Sequence, residues 1–265
     1  MDEPQTASVV ASPTLIPGGR TVAAGQGVEW VSQGWKLFMQ APLIWIVNIV
    51  IFIVIAIILS VIPVIGTLAA HTLNALFCGG LMLGAHKLHQ GQTLEVADIF
   101  SAFKAPMMTP LFILGVCYMV GMLAIMAITA ALFMVVLGVS GGIGAMMHGD
   151  SGAMMGMMAG AGLGVILVLL VVMLLAIPIM MAFWFAPALV ALGGMQPIDA
   201  LRASFSACLK NFIPFLLYGV VFLVLVIIGL IPFGLGLLVV GPLLFASSYA
   251  AYRDIFLGDA GQAAA

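Results

Sequence analysis

Residues 186–211, APALVALGGMQPIDALRASFSACLKN, are the stretch on which the reading of this chain turns. The segment leaves an apolar run at Pro187 and turns at Gly193-Gly194. It then carries Asp199, Arg202 and Lys210 on a short amphipathic piece and enters a second apolar run beyond Asn211. A charged surface helix followed by a plunge into lipid is the unit this defines, and the same order occurs twice more.

Composition sets the solvent. The chain of 265 residues is 65% hydrophobic and 6% charged, whereas a soluble domain is about 25% charged. Apolar runs of about 18 residues or more are candidates to cross a bilayer. Six are expected, at residues 42–62, 67–88, 110–138, 162–192, 212–231 and 237–252. The fold class is therefore all-α, a polytopic membrane protein with its six transmembrane helices in three helix-pair repeats. Residues 1–27 hold Pro4, Pro13, Pro17 and several glycines without apolar periodicity, and are expected to be a disordered tail. Residues 28–257 form the membrane domain, and 258–265 a short flexible tail. Asp2 and Glu3 stand where a signal peptide would carry positive charge.

Amphipathic segments precede the spans. At residues 28–40, Val28, Val31, Trp35 and Phe38 recur at helical spacing, with Glu29, Ser32, Gln33 and Lys36 on other faces. At residues 89–109, Val96, Phe100 and Phe103 oppose Glu95, Asp98 and Lys104. Tryptophan and lysine beside a span suit the headgroup region, so these pieces are expected to lie flat on the bilayer. Each begins with an acid and ends near a lysine, which complements the helix dipole. Lys36 precedes Pro42, Lys104 precedes Pro106 and Pro110, and Lys210 precedes Pro214. The three units run in one orientation, a parallel repeat, unlike the inverted repeats of many secondary transporters. With six spans, Arg20, Lys36, Lys87, Lys104, Arg202, Lys210 and Arg253 all fall on one side. The positive-inside rule makes that side, with both termini, cytoplasmic.

Polar residues inside spans are the place to look for function. Asn48 lies in the first span; His71, Asn74 and Cys78 lie on one face of the second at spacings of three and four. Asn48, His71 and Asn74 are the candidate site, set against plain interhelical hydrogen bonding, worth roughly 0.6 kcal/mol on average. The second span is rich in glycine and expected to be buried, with Gly80 and Gly84 a close-packing surface for another membrane protein. Between the third and fourth spans, GGIGAMMHGDSGAMMGMMAGAG offers Met146, Met147, His148, Met154, Met155, Met157 and Met158. Thioether and imidazole suit copper, but so methionine-rich a chain, 19 in all, weakens the signal, and no metal or other cofactor is expected. Cys78, Cys117 and Cys208 form no close-spaced pair and read as packing groups. Histidines are scattered and acids lie in surface segments, so no catalytic constellation emerges. A net charge of −2 argues against nucleic acid as a partner.

Pro187, Ala188, Leu189, Gly194, Pro197, Ala200, Leu201, Ser204 and Asn211 resemble the hallmark segment of a loose superfamily of bacterial six-span membrane proteins. That group includes the membrane domain of some glycerophosphodiester phosphodiesterases. The opening GRTVAAGQGVEWVSQGWKLFMQAPLIWI is similar to an uncharacterised proteobacterial family of inner-membrane proteins. The resemblance implies an inner membrane and membrane- or lipid-related work; no phosphodiesterase domain is present. The expected role is that of a non-enzymatic accessory or scaffold whose partners are the lipid bilayer and other membrane proteins. A transporter or lipid-handling permease is the rival.

Overall fold

The structure, a computed structural model, describes residues 15–63, 65–139 and 151–258, except for the side chains of 137–139, 151–161 and 163. Among the described residues it is all helical. In order come α1 (Gln26–Phe38), α2 (Pro42–Ser60), α3 (Ile65–His89), a 3-10 helix (Val96–Phe103), α4 (Met108–Val139) and α5 (Ser151–Trp184). There follow α6 (Ala186–Ala191), α7 (Pro197–Lys210), α8 (Phe212–Leu230), α9 (Leu237–Tyr252) and a π-helix (Arg253–Leu257).

Five described helices are long and apolar enough to cross a membrane: α2, α3, most of α4, the stretch Gly164–Ala191 of α5 and α6, and α8. Their sequences explain why lipid is needed. α2 reads PLIWIVNIVIFIVIAIILS, dense in β-branched residues that form helices poorly in water. In hydrocarbon the backbone must satisfy its own hydrogen bonds, and a helix does so regardless of that preference. α3, with a hydropathy of only 1.4, is also the most enclosed of the five, as its glycine content implies. Gly193-Gly194 makes the expected turn after α6, Gly194 taking a φ of +62° that side chains rarely adopt.

The expected sixth span is shorter than the rest. α9 has 16 residues and continues into the five-residue π-helix. It packs on α1, α2, α3 and α8, and buries Leu243, Ala246, Ser247, Tyr249, Ala250, Ala251 and Tyr252.

Three expectations change. First, α1 is not an isolated surface helix. It lays Gly27 on Pro214 and Gly34 on Ser247, and Trp30 is fully buried while Val28 and Trp35 are exposed. Glycines that allow close approach set the packed face together with Phe38, the one member of the expected stripe that is buried. Second, Gly80 and Gly84 are already covered: a Cβ on Gly80 would overlap the Ile99 carbonyl, and Gly84 lies against Leu94. The 3-10 helix occupies the patch assigned to a partner protein. Third, the second half of the presumed tail is docked. Ile16 N–H donates to the Phe256 carbonyl (2.8 Å) and Arg20 N–H to that of Ile255 (2.9 Å). Arg20 Nε donates to that of Asp254 (2.7 Å). These are carbonyls at a helix C-terminus, which have no partner inside their own helix. Residues 15–22 hold an ordered path because they supply the missing donors.

Candidate functional site

Ser204 and Asn211, two residues of the quoted segment, build the framework around the site. Ser204 Oγ accepts the Phe185 N–H (3.0 Å) and donates to the Met181 carbonyl (2.7 Å). Those two backbone groups would otherwise bond to each other, so the hydroxyl is inserted into the helix ladder where α5 gives way to α6. Asn211 Oδ1 accepts the Val22 N–H (2.8 Å), and its Nδ2 donates to the carbonyls of Arg20 and Ala207 (2.9 Å each). Asp254, 2% exposed, accepts from Arg20 and from Trp30 Nε1 (2.8 Å). These tie residues 20–22, α1, the start of α8 and the last helix together at one end of the bundle.

Within the bundle a cleft of about 200 Å³ opens where α3, α4, α5, α6 and α9 meet. Its walls are apolar (Met82, Phe183, Leu244 and Phe245 among them), and its polar groups are Asn74, Cys78, Tyr118, Trp184 and Ser248. Trp184 Nε1 is buried and has no hydrogen-bond partner among the described residues. Cys78 Sγ donates to Asn74 Oδ1 at 3.8 Å. A second cleft of about 230 Å³, between α2 and α3, shares Asn74 and Tyr118 and adds His71. The rings of His71 and Tyr118 meet edge-on at 5.6 Å. A third, of about 430 Å³ between α3 and α4, shares His71 and begins at Thr67. Along α3 the three clefts run from Thr67 to Met82, about 22 Å at 1.5 Å per residue.

Of the residues singled out from sequence, His71 and Asn74 are brought together with Cys78, as their spacing implies. Asn48 is not with them. It is fully buried, lines none of these clefts, and lies one turn beyond Phe52, whose ring packs on Phe77 at 5.6 Å. Both of its amide atoms, like Trp45 Nε1 three residues earlier, lack a hydrogen-bond partner among the described residues. Tyr118, Trp184 and Ser248 were missed, because one polar atom on an aromatic ring or a lone serine leaves no periodic signal. Met146, Met147 and His148 lie outside the described residues, and of Met154, Met155, Met157 and Met158 only the helical backbone is described. Among the described residues no group of three or more His, Cys, Asp or Glu could hold a metal ion.

The clefts, walled by apolar side chains inside membrane-crossing helices, belong to an integral membrane protein. The chain is 28% identical over 257 residues to a Burkholderia thailandensis protein named as a probable inner membrane protein, covering 89% of this chain and 92% of that relative. No family model matches the chain. No solved structure matches it either.

Proposed function

We propose that this chain is a non-enzymatic inner-membrane protein that holds a lipid or similar amphipathic membrane molecule in the cleft between α3, α4, α5 and α9. The observation that carries it is the cleft itself, with apolar walls and a few polar groups, Asn74, Cys78, Tyr118 and Ser248, on its lining. That is the general make-up of a ligand site. Inner-membrane residence follows the name of the Burkholderia relative. α9 serves as the sixth span, its π-helical extension giving 21 residues in all. Three short surface elements, each before a pair of long helices, then constitute the parallel repeat. Both termini lie in the cytoplasm, on the side that gathers lysine and arginine.

The test fills the cleft. Native mass spectrometry of the protein in mild detergent should find retained lipid in the wild type, lost in the double variant Asn74→Leu, Ser248→Leu. Equal retention by a well-folded double variant would rule out the cleft as the seat. The chain of clefts along α3 favours a second reading, a permease, for which flux through liposomes should fall in the same variant.

A further inference from the structure

One turn beyond the cleft, towards the cationic end of the bundle, a polar cluster joins the end of α3 to the end of α9. Met82 and Ser248 line the cleft; His86 and Tyr249 come next on their helices. His86 Nδ1 lies 2.8 Å from Tyr249 Oη, and its Nε2 lies 2.9 Å from Gln90 Nε2. A turn further, Arg253 Nη1 donates to His89 Nδ1 at 3.1 Å.

Arg253 is the odd cation here. Arg20, Lys36, Lys104, Arg202 and Lys210 are exposed, and only Lys87 and Arg253 are partly buried. Lys87 has a carboxylate, Asp98, at 2.7 Å. Arg253 has none among the described residues: its neighbour Asp254 is committed to Arg20 and Trp30, and the recorded contact of its guanidinium is a histidine. A guanidinium carries five N–H donors in a fork that matches phosphate oxygens in pairs. Holding such a group half out of water without an anion is costly. Basic pockets between transmembrane helices at the membrane surface are filled by anionic lipid headgroups.

From these positions we infer that the molecule held here is an anionic phospholipid, its phosphate on Arg253 and an acyl chain in the cleft past Met82 and Ser248. The assignment rests on the cleft reading above and adds the headgroup class. A free phosphate would meet Arg253 but leave the apolar cleft empty. A phosphate-free lipid would fill the cleft but leave Arg253 uncompensated, and a zwitterionic one such as phosphatidylcholine would bring a choline cation that offsets its phosphate.

The experiment presents the full chain in mixed micelles with equal phosphatidylglycerol and phosphatidylcholine, and counts bound lipids by native mass spectrometry. The wild type should prefer phosphatidylglycerol about five-fold, the worth of one arginine at such a surface. Arg253→Gln should abolish the preference while total lipid stays the same. Arg253→Lys, which keeps charge but not the fork, should retain part of it and guards against a folding defect in the first variant. Equal uptake of both lipids by the wild type would overturn the headgroup assignment and leave the cleft reading standing. Lipid binding unaffected by Asn74→Leu, Ser248→Leu would instead sink the cleft reading. Binding of inorganic phosphate alone, with no lipid preference, would overturn a lipid as the occupant.

Discussion

Asp254 is the residue on which the cationic end of the bundle closes. Its carboxylate meets the Arg20 guanidinium and the Trp30 indole, so it joins the N-terminal strap, α1 and the last helix at one point. Arg20 is 41% exposed at its side chain, and water takes up part of its charge. Asp254→Asn should therefore cost a moderate amount, about 1–3 kcal/mol as for a buried polar group left mismatched. It should appear as a lower thermal midpoint in detergent, with faster proteolysis at residues 15–25. Cys208 gives a pH-dependent prediction. Burial pushes its thiol up to about 12, against a smaller opposing effect of the Ser204 hydroxyl. The thiolate is the reactive form, so at pH 8 the folded protein should leave Cys208 unlabelled by maleimide. Labelling should appear only on denaturation; rapid modification of the native chain at pH 8 would contradict the buried placement.

At the scale of elements, long-range apolar runs were legible in the chain and the faces they use were not. α2 and α8 are each 19 residues long, mostly apolar and without a charge, and lipid leaves them little choice but helix. The short surface pieces were legible in place but not in contact. α1 turns Trp30 and Leu37 inwards because Gly27 and Gly34 let it press on α8 and α9, a preference that depends on partners about 190 and 210 residues further along the chain. The piece at residues 96–103 forms a 3-10 helix rather than an α-helix, started by the reciprocal capping of Glu95 and Asp98, and sits in the groove made by Gly80. Gly80→Leu would drive a side chain into the Ile99 backbone. It should destabilise the protein by about 1–3 kcal/mol, as overpacking does, and break the Lys87–Asp98 pair. A variant of unchanged melting temperature would show that the 3-10 helix rests there only loosely.

For the whole molecule, the same division holds. That His71 and Asn74 lie together could be read from spacing alone because both sit on one helix. Tyr118, Trp184, Ser248 and Arg253 could not, since they reach the site from α4, α5 and the two ends of the last helix junction. Asn48 lies on a different helix, so spacing could not say whether its side chain joins those of His71 and Asn74; it lines none of the clefts that either of them lines. The threading has its own test. Single cysteines introduced at Arg202 and within residues 141–150 should label from opposite sides of intact inner-membrane vesicles. Labelling from one side alone would require a different number of crossings.

The strap that caps the last helix also brings Ile16 against Gly258, 3.8 Å from where a Cβ would stand. Beginning and end of the described polypeptide thus meet at one corner, so the path is very nearly a closed ring. A short bridging peptide would complete it, and new ends could be opened at the Phe233-Gly234 bend, where Phe233 projects wholly into the surroundings. Such a permuted chain would keep every helix, with α9 now leaving the ribosome first and its pairing partner α8 last.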